Sequence, residues 1–299
     1  MSLVIVGSVA FDTIETPFGR RERIVGGSGT YCSLAASYFT RPRVVGVVGR
    51  DFPKKAIAFL KTRGIDLRGL KVTAGKTFHW EGRYEKDPNI RTTVRTDLNV
   101  FEDFRPKVPA AYAQSGIVYL ANIDPDGHDF ILRQFRKPGV VAMDTIRFWI
   151  ETKRDALIRE LRRIDIFFAN DEEARLLSGE LNLVAAGQAL VRYGPSLVVL
   201  KKGEHGALVF GRGFVFGVLA HPCAHVIDPT GAGDSFAGGF LGFLDRAGSL
   251  GRREVRRAAV YGSVLASFAI EDFGIDRFRT LDRAAIEGRF RDFKRLISF

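Results

Sequence analysis

Cysteine is almost missing from this chain of 299 residues: Cys32 and Cys223 are the only two. Two thiols so far apart give no disulfide framework and no zinc-ligand spacing, and are read as buried free thiols. Histidine is scarce too, with His79, His128, His205, His221 and His225 scattered along the chain. His221 and His225 stand four apart, but Pro222 between them argues against a helix presenting both to one metal. Long apolar runs are missing: none approaches the roughly 18 residues of a membrane span. The opening MSLVIVGSVAFD has no basic n-region and reaches Asp12 too soon for a signal peptide. It is read as the first buried strand of a cytoplasmic protein with no membrane partner. Internal repeats and low-complexity linkers are also lacking, so one domain over 1–299 is expected. Acid falls short of base, 34 Asp and Glu against 45 Lys and Arg, a net charge of +11. The basic residues are spread out, with short clusters at Arg20–Arg23 and Arg252–Arg257. Without a basic tail or an aromatic-interleaved RNA motif, nucleic acid is not the expected partner. A solvated surface, or a positive field around a phosphate site, accounts for the excess.

What is present is a regular alternation. Short apolar runs at Leu3–Gly7, Val44–Val48, Ile117–Ala121, Val140–Met143, Ile166–Ala169 and Leu197–Leu200 read as buried strands. Helical patterns lie between them near Ser33–Tyr38, Pro53–Gly64, Phe130–Arg136, Arg154–Arg163 and Val184–Val191. Such alternation indicates a mostly parallel sheet with helices on both faces. Two segments break the rhythm. The polar stretch Asp12–Ile24 and the alternating stretch Thr77–Val100 read as antiparallel strands inserted into the α/β body. They suit a small sheet over a cleft, or an ordinary edge hairpin. Ala207–Val209 and Phe214–Val218 read as a hairpin, and a helix is expected from Phe236 onward.

Between that hairpin and that helix stands Asp228-Pro229-Thr230-Gly231-Ala232-Gly233-Asp234-Ser235-Phe236. Two glycines let a backbone turn tightly and approach a ligand. The first N–H groups of a helix lack intrahelical partners and carry the positive end of the dipole, so they bind phosphate or a developing anion. A carboxylate at Asp234 would lie beside that pocket and can take the proton of an attacking alcohol. The competing reading is a plain helix start with Asp234 as its cap.

The stretch Asp228–Phe236 resembles the C-terminal signature of the ribokinase-like (PfkB) carbohydrate kinases. The resemblance implies that Gly231, Ala232 and Gly233 form an anion hole and that Asp234 is the catalytic base. It runs the length of the chain. Gly7-Ser8-Val9-Ala10-Phe11-Asp12 looks like the family's first strand with its substrate-binding Asp, a carboxylate able to accept two polyol hydroxyls. Gly26 and Gly27 resemble the glycine pair that lets backbone approach the substrate, and Gly46–Asp51 looks like a structural turn. Asn170-Asp171-Glu172-Glu173 fits the Asn-x-x-Glu motif, whose ends, Asn170 and Glu173, are implied to organise water around Mg²⁺; a dipole-favoured acidic helix start is the alternative. Lys202, Gly203 and Gly206 resemble the loop under ATP, Thr230 is assigned with them, and Tyr261–Ser263 falls near the adenine pocket.

Two departures stand out. Tyr31 occupies the place where the family usually has a sugar-contacting Asn, and is expected to donate a hydrogen bond or stack on a ring. Asp144-Thr145-Ile146-Arg147 only partly matches the family's Asp-x-Asn-x-Arg strand end and is given no role. The resemblance implies a three-layer α/β/α sandwich with a β-lid from segments near 12–24 and 77–100, and a homodimer through that lid. The expected activity is ATP- and Mg²⁺-dependent phosphorylation of a small hydroxylated substrate with a vicinal diol. A sugar or polyol ranks ahead of a nucleoside. The rivals are a weakly catalytic sugar sensor on the same fold, a dinucleotide oxidoreductase, which lacks its G-x-G-x-x-G here, and a nucleic-acid binder.

Overall fold

A computed structural model describes residues 2–102 and 104–297. The chain runs β1 (Leu3–Gly7), β2 (Ala10–Thr16), β3 (Gly19–Gly26), α1 (Ser28–Ala36), β4 (Arg43–Gly49), α2 (Lys54–Thr62), β5 (Asp66–Thr73), β6 (His79–Tyr84) and β7 (Arg91–Asp97). Its middle holds β8 (Ile117–Ala121), α3 (His128–Leu132), β9 (Val140–Asp144), α4 (Arg147–Leu161), β10 (Ile166–Asn170), α5 (Asp171–Ser178), α6 (Leu183–Arg192) and β11 (Leu197–Lys201). It closes with β12 (Ala207–Gly211), β13 (Phe214–Val218), α7 (Ala232–Ala247), α8 (Arg252–Ala269), α9 (Asp276–Thr280) and α10 (Arg283–Ile297).

Nine strands form one sheet in the order β13-β12-β11-β10-β9-β8-β1-β4-β5. All its neighbours pair in parallel except β11–β12 and β12–β13, the hairpin expected near residue 210. Every residue of β1, β8 and β9 is buried, because helices cover both faces. One face packs Leu3, Ile5, Tyr119, Phe168 and Val199 against α1, α7 and α8. The other packs Val4, Val6, Leu120, Phe167 and Leu200 against α4, α5 and α6. The helix near Ser33–Tyr38 begins earlier than its apolar pattern suggests, at Ser28, and the one near Phe130–Arg136 stops at Leu132.

The two segments that break the rhythm form a second sheet, ordered β3-β2-β6-β7. Each is a hairpin of antiparallel strands, but the hairpins join through a parallel β2–β6 pairing. One side rests on a small cluster of Ile14, Tyr84 and Phe273, with Ile24, Trp80 and Ile227 packed around it. Among the described residues no helix is long and apolar enough to cross a membrane.

Candidate active site

The signature stretch becomes the loop before α7. Gly231 is the N-cap residue, left-handed at φ 75°, and a Cβ there would lie 2.4 Å from the Tyr31 ring. Only glycine meets both demands. Asp234 therefore stands in the first turn and not at the cap, and its side chain makes no cap bond. Among the described residues the N–H groups of Gly233 and Asp234 have no hydrogen-bond partner, so the helix start is open toward the site. Burial, then the Asp144 charge, push the Asp234 carboxyl up to about 6, while Lys201 and Arg91 pull the other way. Asp228 fixes the loop from behind. It is fully buried, accepts from the N–H of Thr230 and of Gly274 at 2.8 Å each, and lies above its ordinary range chiefly through burial.

Across from this loop stands Asp12, on β2 and 4% exposed. Gly26 makes room for it, since a Cβ at that position would collide with the carboxylate. Burial, then the Asp228 charge, push the Asp12 carboxyl up to about 8; the Gly27 backbone opposes this and Asp234 adds to it. Asp12, Asp228 and Asp234 are thus electrostatic neighbours in the buried interior. The turn at Gly27 is held by Ser28, whose N–H donates to Ser8 Oγ at 3.0 Å and whose hydroxyl donates to the Ala121 carbonyl at 2.8 Å. Tyr31 donates its hydrogen bond within the protein. It is 1% exposed, with its ring under Gly231 and its hydroxyl 3.4 Å from Asp12 Oδ2. Its ring is floor for the loop at Gly231. Phe78, just before β6, stacks on Phe101 at 5.5 Å.

Asn170 and Glu173 meet at the end of β10. Glu173 Oε2 accepts from the Asn170 N–H, and Asn170 Oδ1 accepts from the Glu173 N–H, both at 2.7 Å, a reciprocal cap on α5. The helix-start reading of this motif is thus part of the structure. Among the described residues the other Glu173 oxygen makes no hydrogen bond, and burial, then the Asp144 charge, raise this carboxyl to about 7. Among the described residues no three His, Cys, Asp or Glu side chains converge on one metal position. A buried carboxylate with one free oxygen fits an ion held mostly through water and phosphate oxygens, as Mg²⁺ commonly is.

Lys202, Gly203 and Gly206 form the turn after β11. Lys202 lines a cavity of about 490 Å³ with His205, Leu208, Leu219, Leu296 and Ile297. Ser263 borders this region through a 2.7 Å bond from its hydroxyl to the Leu219 carbonyl, whereas Tyr261 is turned into the core against Phe39, Phe243 and Phe290. Thr230 does not line that cavity; its hydroxyl donates to the Tyr84 hydroxyl oxygen of the small sheet at 3.1 Å. Two residues given no part from sequence, Asp144 and Lys201, form a buried ion pair at 2.6 Å beside Glu173 and Asp234. Strand alternation was the available signal for Lys201, which shares a face with Val199; β11 is apolar on both faces, so the signal was hidden.

The pfkB family carbohydrate kinase profile matches residues 2–279. A cytidine kinase from Thermococcus kodakarensis is 30% identical over 250 residues, covering 82% of this chain and 89% of that protein. A nucleoside kinase from Methanothermobacter thermautotrophicus is 27% identical over 296 residues, covering 91% and 90%. Among solved structures, a fructokinase from Vibrio cholerae superposes with a TM-score of 0.81 at 20% identity, over 97% of this chain and 99% of that one.

Proposed function

The chain belongs to the pfkB family of carbohydrate kinases, ATP-dependent phosphotransferases acting on hydroxyl groups, and we propose that its acceptor is a nucleoside phosphorylated at its primary hydroxyl. One observation carries the reading: Asp234, whose side chain makes no hydrogen bond among the described residues, stands at an open helix start and is an electrostatic neighbour of the buried Asp12. A ribose diol donates two hydrogen bonds to Asp12, and the hydroxyl left to meet Asp234 is then the primary one. Similarity to a cytidine kinase and a nucleoside kinase favours a base on that ribose.

Asp234 takes the proton of the acceptor hydroxyl as it attacks. The N–H groups of Gly233 and Asp234 stabilise the charge on the transferring phosphoryl group, in the anion hole of Gly231, Ala232 and Gly233. Asn170 and Glu173 would hold Mg²⁺, which neutralises phosphate charge when bound. The turn Lys202–Gly206 and the cavity beside it take the nucleotide base and sugar. The small sheet closes over the acceptor as a lid and excludes water, which suppresses hydrolysis of ATP.

A screen of nucleosides, sugars and polyols by ADP release with Mg·ATP tests the acceptor. The expected result is fastest turnover on a ribonucleoside, with the matching 2′-deoxy compound much slower. Turnover confined to free sugars overturns the nucleoside assignment and leaves the kinase. We also infer that the lid pairs two copies of the chain, because β7 is exposed on both faces and Val94 on it is 52% exposed. Light scattering should then give twice the 33.2 kDa chain mass.

A further inference from the structure

The excess of base over acid is not spread evenly over the folded surface. The candidate site lies at the carboxyl ends of strands such as β10 and β11, whereas a row of arginines lies at the opposite edge of the large sheet. Arg41 and Arg63 stand just before the first residues of β4 and β5. Arg212 is in the β12–β13 turn, which the antiparallel β11–β12 pairing returns to that same edge. Arg246 is in the last turn of α7, next to Asp245, which accepts from the Thr40 hydroxyl, and Arg252 opens α8. Contacts make the row continuous. A Cβ on Gly213 would lie 4.0 Å from the Arg252 guanidinium, which stands 5.2 Å over the Phe214 ring, and Arg256 stands 5.5 Å over Phe216. Phe243 carries both Arg257 and Arg246 at 5.2 Å, and Arg246 also stands 5.0 Å over Phe39. Phe39 in turn lines a cavity of about 440 Å³ with Arg41, Arg63 and Arg283.

None of these arginines forms an ion pair among the described residues. Two acids nearby are already engaged: Asp245 is buried against Thr40, and Asp282 caps α10 by accepting from the Ala285 N–H at 2.8 Å. The helix dipole favours Arg63 after α2 and Arg246 near the end of α7. It opposes Arg252 and Arg283, each the first residue of its helix, so folding alone does not account for cations there. We propose that this edge binds the phosphate backbone of a duplex nucleic acid without regard to sequence. Guanidinium forks pair with phosphate oxygens, and a continuous row of them matches a polyanion better than one small ion. The rings along the row hold guanidiniums and are not offered to bases, which disfavours a single strand bound by stacking. A membrane surface would call for exposed apolar side chains to insert, and in the α7–α8 turn Leu250 is the one such residue described. The chain has no basic tail; residues as far apart as Arg41 and Arg283 meet only in the fold.

Fluorescence anisotropy of a labelled duplex DNA of mixed sequence, titrated with the full chain, tests this. Affinity should fall about 10²–10³-fold between about 50 and 200 mM salt, as four or five phosphate contacts require. Changing Arg212→Gln, Arg252→Gln and Arg256→Gln together should weaken binding about tenfold or more and reduce the salt slope by about three. Lysine at the same three positions should keep most of that slope, which separates the charge from packing on the rings. Turnover with Mg·ATP should be unchanged in both variants, because the opposite edge is untouched. Arg20→Gln, on the small sheet and already shared among Glu15, Glu22 and Glu81, should bind DNA like the unaltered protein. No binding at low salt, undiminished binding by the glutamine variant, or a lysine variant as weak as the glutamine one would overturn the proposal. Displacement of the duplex by ADP would do so too, by placing it at the candidate site. Tighter binding to phosphatidylglycerol–phosphatidylcholine vesicles would make the partner a membrane, and equal competition by polyglutamate would make it any polyanion; either result sinks the nucleic-acid assignment.

Discussion

The two sheets of this molecule are built to different standards. In the large sheet, β1, β8 and β9 are buried at every position. In the small sheet, β7 is exposed at six of its seven positions, and the Arg20 guanidinium is shared among Glu15, Glu22 and Glu81 on the surface. The small sheet meets the body through β2, β3 and the end of β6: Phe11 on the Phe52 ring, the Tyr31 hydroxyl on Asp12, the Ile14–Tyr84–Phe273 cluster, the Tyr84–Thr230 bond, and Arg23 on Asp51 at 2.9 Å. Asp234, Glu173, Asp144 and Lys201 all sit on the rigid side, whereas Asp12 hangs on the other. Regions with few buried contacts open most readily. Changes in the body should therefore appear in kcat, and changes in the small sheet in the acceptor KM.

The largest effect should come from the body. Asp234→Asn is expected to lower kcat by at least about 10²-fold while ATP binding stays near normal. The pH profile sharpens this. A base works only when ionised, and this carboxyl titrates at about 6, so kcat should fall as pH drops through that value. Turnover within a few-fold of the unaltered protein, or a rate that rises on acidification, would remove Asp234 from the role.

Asp12→Ala comes next and should move the other parameter. Loss of the carboxylate leaves acceptor hydroxyls unpaired, at about 2–4 kcal/mol of acceptor affinity, with ATP affinity held. Two pH effects follow from a carboxyl that titrates at about 8 in the fold against an ordinary 3.8. The folded state holds this proton more tightly, so Asp12 contributes a loss of stability as pH rises from about 4 to about 8. Bound hydroxyls favour the ionised form, so acceptor affinity should improve over the upper part of that range. Calorimetry in buffers of different ionisation enthalpy would show the proton released on binding. An acceptor that binds best at pH 5, or phosphorylation unaffected in Asp12→Ala, would place the acceptor elsewhere.

Glu173→Gln should act more weakly, raising the Mg²⁺ needed for half-maximal rate and sparing acceptor affinity. Melting temperature separates its two parts: the amide keeps an oxygen for the Asn170 N–H, so the cap on α5 survives while the charge is lost. An unmoved Mg²⁺ titration would leave only the cap.

Much of this was legible in the chain, and what was not has physical reasons. The short apolar runs gave the large sheet because parallel strands buried on both faces are apolar throughout. The glycine signature led to the open start of α7 because few other residues tolerate a left-handed turn pressed on an aromatic ring. The parallel β2–β6 pairing joins residues about 70 apart, and no local pattern encodes it. The packing of Tyr31 under Gly231 was not legible, because nothing in the sequence shows that Gly231 leaves room for its ring. Asp144 and Lys201 were passed over for a similar reason: they lie 57 residues apart and become a pair only when β9 and β11 flank β10.

The smallest expected effect tests the seam between the two sheets. Tyr84 ends β6, is 7% exposed, and accepts the Thr230 hydroxyl one residue before the glycines at the start of α7. Burial holds its phenol up at about 12, so it stays neutral and no charge is lost on substitution. Tyr84→Phe keeps the ring in its cluster with Ile14 and Phe273 and removes one hydrogen bond, about 0.5–1.5 kcal/mol. If that bond latches the small sheet over the acceptor, its loss should raise the acceptor KM by a few-fold to about tenfold, with kcat and the ATP KM within about twofold. Thr230→Val should do the same. The two together should cost no more than either alone, since both remove one interaction. Additive effects would mean that each hydroxyl acts separately. A fall in kcat at unchanged acceptor KM would show that Tyr84 shapes the catalytic loop itself, and the division of labour between the two sheets would then not hold at this seam.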